Sequence, residues 1–158
     1  MLDTQAKGNC IRSRKNDCPL PGECTTKGLI YEADVTSDNH TMTYTGSTGN
    51  TFKQRWYGHM ESFRKPSKRN STELSRYVWS LKDQKIPYQI KWKINWKSRT
   101  NSKPNTKGAC ILCNMERIAI ANANRLTSLN KRSELVGKCK HFRSLYFNSP
   151  AQDQDAPD

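Results

Sequence analysis

From Tyr88 to Trp96 the chain alternates without a break. Tyr88, Ile90, Trp92, Ile94 and Trp96 are apolar or aromatic, and Gln89, Lys91, Lys93 and Asn95 between them are polar. A period of two sends successive side chains to opposite faces of a strand, so this stretch belongs in a sheet with one face buried. Such a sheet needs partners. Leu29, Tyr31, Ala33 and Val35 alternate in the same way within 28–36, and residues 41–45 are rich in β-formers. Asp38-Asn39 between them marks a turn, which makes the two stretches an antiparallel hairpin. Elsewhere the period is helical. Phe52, Trp56, Met60 and Phe63 form one apolar face, and Leu74, Tyr77, Val78 and Leu81 form another, with Asn70 and Glu73 as a capping box ahead of it. A third helix is predicted over 111–121 with Ile111, Met115 and Ile118 inward, and a short helical segment over 128–137. These elements give an α+β domain, a small three-stranded antiparallel sheet flanked by helices. It is predicted to span 18–142, between a mobile basic arm at 1–17 and a disordered acidic tail at 143–158.

Charge narrows the partner. Lys and Arg number 27 against 14 Asp and Glu, a net charge of +13 in 158 residues, which favours a polyanion. No run of roughly 18 apolar residues is present, so no membrane span is expected. The opening residues MLDTQAKGN have no apolar core for a secretory signal, and an intracellular location is expected. In a reducing compartment the six cysteines read as metal ligands or free thiols before disulfides.

The stretch 44–59, YTGSTGNTFKQRWYGH, carries the chemistry. It reads as a strand end at Tyr44-Thr45-Gly46, a turn using Gly46, Gly49 and Asn50, and a helix from about Thr51. Arg55 and His59 are four apart and share a helix face, away from Phe52, Trp56 and Met60. Upstream stands a strand tripeptide, Leu29-Ile30-Tyr31. In these features the chain resembles the GIY-YIG nuclease family, named for two tripeptides on neighbouring strands followed by a helix with an essential Arg. Leu29 stands where the family has its first Gly, and Thr45 where it has an Ile. CPLPGEC before the first tripeptide and NSTELSRYVW after the helix resemble the endonuclease domains of Penelope-like retroelements.

The resemblance implies a metal-dependent DNA endonuclease of mobile-element type, acting in the nucleus. It implies that Tyr31 and Tyr44, at facing strand positions, hold or deprotonate the attacking water. It gives Arg55 the scissile phosphate and His59 a phosphate contact or a proton transfer. One Glu on a later helix would hold Mg²⁺ or Mn²⁺. Glu116, in CNMERIAI, fits the family order, with Asn130 as the Asn that follows it in the site, whereas the capping box accounts for Glu73.

Cys110 and Cys113 form a C-x-x-C, and Cys139 with His141 forms a second close pair; together they make a candidate Zn²⁺ site, or else Cys110 and Cys113 are core thiols. Cys10, Cys18 and Cys24, with His40 as nearest fourth ligand, make a weaker second set. Arg64, Lys65, Lys68 and Arg69, then Lys97, Arg99, Lys103 and Lys107, lie in basic loops suited to phosphate contacts. The competing reading is a catalytically inactive or zinc-stabilised nucleic-acid-binding module of the same fold. Under either reading, DNA affinity should fall steeply with salt, because phosphate contacts release counterions. A titration across salt concentrations checks this, and a flat dependence refutes it.

Overall fold

A computed structural model describes residues 18–98, 110–136 and 139. The elements are β1 (Lys27–Ser37), β2 (His40–Thr51), α1 (Phe52–Arg64), a 3-10 turn at Pro66–Lys68, α2 (Glu73–Asp83), β3 (Gln89–Lys97), α3 (Ile111–Asn122) and a 3-10 segment at Arg132–Val136. The predicted arm and tail lie outside the described residues, as do Cys10, Arg99, Lys103, Lys107 and His141. Among the described residues no helix is long and apolar enough to cross a membrane.

The three strands form one antiparallel sheet in the order β2-β1-β3, the small α+β architecture predicted. The hairpin turns at Asp38 and Asn39, whose φ values of 44° and 63° are what a two-residue primed turn demands. Asp and Asn enter this region at low cost because their short side chains bond locally. β1 is central, with Leu29, Tyr31, Ala33 and Val35 on one face and Ile30 on the other all fully buried, and Glu32 and Asp34 on that second face paired with Lys93 of β3. The first face packs on Phe52 and Phe63 of α1 and Leu74, Val78 and Leu81 of α2, closed by Trp92, Leu20 and Cys24. α3 contacts β2 and β1 and covers the opposite face.

β2 is an edge strand, and its free edge is sealed. Thr43 donates its N–H to Thr127 O at 2.8 Å, and Leu129 N–H returns to Thr43 O at 2.9 Å, a parallel bridge. Asn130 extends the seal with its side chain. Its Oδ1 accepts from Thr45 N–H and its Nδ2 donates to Thr45 O, both at 2.8 Å. A bare edge would be open to pairing with another chain.

Four local expectations are corrected. No turn separates β2 from α1: the strand runs through Gly46, Gly49 and Asn50 to Thr51, which caps the helix at once in a capping box with Gln54. α2 is capped by Thr72, whose side chain accepts from Ser75 N–H, and not by Asn70; Glu73 is simply its first residue. In α1 the buried stripe is Phe52, His59, Ser62 and Phe63, with Trp56 and Met60 only partly covered. Arg55 and His59 therefore face the sheet, because Tyr31 offers their polar atoms a partner. In α3 the buried residues are Leu112 and Ile120, while Ile111 and Ile118 are both 51% exposed. The helix is rotated from its predicted phase, and Glu116, midway between Leu112 and Ile120, joins the sheet-facing stripe.

Gly46 is required for space and not for a turn. A Cβ there would stand 2.5 Å from Tyr31 Oη, 2.6 Å from its Cζ and 3.0 Å from Tyr44 Cε1. Tyr31 is fully buried and cannot yield. Gly46→Ala should therefore destabilise by roughly 1–3 kcal/mol, as overpacking does. Gly58, in the middle of α1, has nothing within 4 Å of its added Cβ. Gly58→Ala should stabilise by about 0.5–1 kcal/mol through helix propensity. Denaturant melts of both variants check the pair; a Gly46→Ala midpoint equal to wild type would refute the steric account.

Candidate functional site

The site grows from Tyr31, at the centre of the sheet. Arg55 Nε donates to Tyr31 Oη at 2.9 Å, and Tyr31 Oη lies 2.7 Å from His59 Nε2. A guanidinium can only donate, so the phenol accepts from Arg55, and its own proton completes the pair with a neutral His59 imidazole. The neutral imidazole is the form this buried site favours. Its pKa is pushed well below the ordinary value, first by burial and then by the Arg55 charge. Burial raises the Tyr31 pKa against the opposing pull of Arg55. Burial also works against the Arg55 charge, but Tyr31 and Tyr44 beside it more than offset this, and the guanidinium pKa is raised.

Tyr44 joins from the neighbouring strand. Its ring meets His59 edge-on at 6.0 Å between centroids, and Tyr31 meets His59 similarly at 5.7 Å. The tyrosines are not directly opposed. Tyr31 pairs with Gly46 and Tyr44 with Ala33, so they are diagonal neighbours on one face. The register decides this: direct opposition would put two rings where only the ring of Tyr31 and a hydrogen fit. Burial raises the Tyr44 pKa as well.

A cleft of ≈ 810 Å³ wraps around the edge strand. Tyr44, Arg55 and His59 line it from one face of the sheet, and Ser47, Glu116 and Arg117 from the other. Ser47 Oγ donates to Glu116 Oε2 at 2.8 Å, which orients the carboxylate. The charge of Glu116 is felt by both tyrosines. Tyr31 itself does not line the cleft and reaches it through Arg55 and His59. Glu73 is elsewhere, in ion pairs with Arg76 at 3.2 Å and Lys131 at 3.1 Å. Asn130, expected in the site, lies outside the cleft lining, with both ends of its amide on the Thr45 backbone. Ser47, Arg117 and two further carboxylates, Glu61 and Glu134, line the cleft without having been singled out from sequence. Glu134 caps the Lys131 N–H at 2.9 Å. Only the position of Ser47 beside Gly46 hinted at any of them.

The sulfur ligands of Cys110, Cys113 and Cys139 lie within 4.8 Å of one another, close enough to share a metal ion. Burial, then the neighbouring thiols, push the Cys113 thiol up to about 12. Among the described residues no other such group exists. Cys24 is buried in the core, and His40 is exposed at the hairpin turn. Cys18, Cys24 and His40 do not form such a group.

The basic residues expected to meet phosphate are partly engaged. Lys65 and Lys68 both pair with Glu61, at 2.5 and 2.7 Å, Arg69 pairs with Asp83 at 2.6 Å, and Lys97 pairs with Glu23. Arg64 Nε donates to Met60 O at 3.2 Å. Lys68 lines the cleft. Exposed pairs of this kind are weak and exchange readily for a phosphate.

Compared with protein-family models, curated proteins and solved structures, the chain matches none.

The neutral His59 makes stability depend on pH. Its folded pKa lies below the unfolded value of 6.5, so the unfolded chain takes up the proton first. The contribution is intact above that pH and is lost as pH falls toward the folded pKa. Glu61, held at about 2 by Lys65 and Lys68, contributes fully above its unfolded value of 4.5 and loses that contribution only as pH falls below it, outside this window. The melting temperature should therefore drop between about pH 7.5 and pH 5, and His59→Gln should flatten the slope. A wild-type profile flat over that window refutes the assignment of a neutral His59.

Proposed function

We propose that the chain is a metal-dependent DNA endonuclease of the GIY-YIG type, in which water displaces one ester oxygen from a phosphodiester. The observation that carries this reading is the cleft at the β2 edge, where Tyr44, Arg55, His59 and Glu116 converge from three elements. Such a set supplies what phosphodiester hydrolysis demands: a cation for the phosphate, a proton acceptor and an anchor for a divalent ion.

Arg55 binds the scissile phosphate. Its Nε is committed to Tyr31 and its guanidinium also meets the Tyr44 hydroxyl, and the remaining N–H donors face the phosphate. Tyr44 and His59, which line the cleft, face the attacking water and take up its proton, while the buried Tyr31 hydroxyl fixes the His59 ring through Nε2. Tyr44 bounds the space for that water, and Arg117 and Lys68 hold flanking phosphates. Glu116, oriented by Ser47, would hold Mg²⁺ or Mn²⁺, for which one carboxylate suffices because these ions keep most of their waters and take phosphate oxygens. Bound there, the ion supplies charge neutralisation at the phosphate. Zn²⁺ belongs to the soft thiol donors instead. Asn130 acts as a positioning residue through the Thr45 backbone. Leu29, in place of the family's Gly, is fully buried core and leaves the cleft untouched. A mobile-element origin and a nuclear location belong to the same proposal.

Nicking of supercoiled plasmid tests it. Glu116→Gln keeps an acceptor for Ser47 and should preserve the melt while lowering cleavage by roughly 100-fold or more. Arg55→Ala should lower cleavage as much and also cost about 1–2 kcal/mol, since it removes a partly buried donor from Tyr31. Glu73→Gln should cleave like wild type. Full activity in Glu116→Gln, or DNA binding without cleavage in Mg²⁺ and Mn²⁺, would reject the nuclease in favour of a binding module.

A further inference from the structure

α3 is thinly anchored. Leu112 and Ile120 are its buried residues, whereas α2, one residue shorter, buries Leu74, Ser75, Val78 and Leu81. Yet α3 carries Glu116, the carboxylate that must stand accurately in the cleft. Hydrophobic packing alone leaves such a helix free to shift or fray.

At its first turn stand the grouped thiols. Cys110 is the N-cap residue, and its side chain makes no capping hydrogen bond, so the helix start lacks the usual oxygen acceptor. Cys113 follows one turn on, and Cys139 arrives from beyond the 3-10 segment. Their sulfurs lie within 4.8 Å of one another, near the roughly 3.8 Å implied by tetrahedral bonds of about 2.3 Å. Thiolates at a helix N-terminus also meet the positive end of its dipole. Two close thiols would suit a redox pair; a third at the same distance suits a metal ion. Cys113 lines the same cleft as Glu116, three residues away on the helix.

We propose that Cys110, Cys113 and Cys139 bind Zn²⁺ as a structural clasp, distinct from the catalytic ion, that ties the start of α3 to the chain beyond residue 136 and so sets where Glu116 stands. The three thiolates supply three of the four tetrahedral positions. The clasp rests on the thiol geometry; only its consequence for cleavage rests on the proposed function.

The test uses the full chain. Elemental analysis should find one zinc per chain, and Co²⁺ in its place should give thiolate-to-cobalt absorption. Cys113→Ser and Cys139→Ser should each lose most of the metal, and Cys18→Ser should keep it. Stripping zinc from wild type with a chelator should speed amide exchange over 111–122 by on the order of tenfold or more, with β1 unchanged. The wild-type measurements stand even if a serine variant fails to fold. Absence of zinc and of cobalt–thiolate absorption overturns the proposal, as does full metal retention in both serine variants. A stable Cys110–Cys113 disulfide, or α3 exchange unmoved by zinc removal, overturns it too. A chain that holds zinc and protects α3 in this way upholds the clasp even if it never cleaves DNA.

Discussion

The hydroxyl of Tyr31 is the point on which the structure turns. It sits at the centre of the sheet, fully buried, and a phenol there must find partners for its donor and its acceptor. Arg55 supplies the donor and His59 the acceptor, both from α1. That requirement rotates α1 so that two polar residues face the sheet while Trp56 and Met60 are left partly exposed. The same ring leaves room for nothing but a hydrogen at Gly46. One buried hydroxyl thus determines the rotation of a helix, the identity of a strand residue and the charge state of a histidine.

The second constraint is the edge. β2 lies at the margin of the sheet, so groups from opposite faces can meet around it, which a central strand would prevent. Tyr44 and His59 approach from the side of α1, Glu116 from that of α3. The backbone that makes this possible would itself be exposed to pairing. Residues 127–130 cover it, and Asn130 imitates a strand residue with its side chain. Its amide presents an acceptor and a donor side by side, which meet the N–H and C=O of Thr45 together and explain the choice of Asn.

Much of this architecture was legible beforehand, because it rests on local physics. Asp38-Asn39 marks its hairpin through the cost of positive φ, and the alternation of β3 reports a strand with one face covered. Tyr31, Tyr44, Arg55 and His59 were singled out by their order, and the structure brings them together. The errors are errors of phase and reach. In α3, Ile111, Met115 and Ile118 were expected inward, yet Leu112 and Ile120 are the buried residues, and Glu116 between them bonds Ser47. At Asn70 a plausible cap lost to Thr72, two residues on.

The sequence by itself determined the elements, the hairpin, the basic character and the residues able to do chemistry. Each of these follows from backbone preference or from side-chain type over a few positions. Tertiary structure alone decided that β1 is central, that Tyr31 and Tyr44 are diagonal, and that Asn130 lies on the edge strand outside the cleft lining. Periodicity says which residues share a face. It does not say what that face will meet, because that depends on packing between segments far apart in the chain, where the need to satisfy one buried hydroxyl can outweigh the hydrophobic pattern of a whole helix.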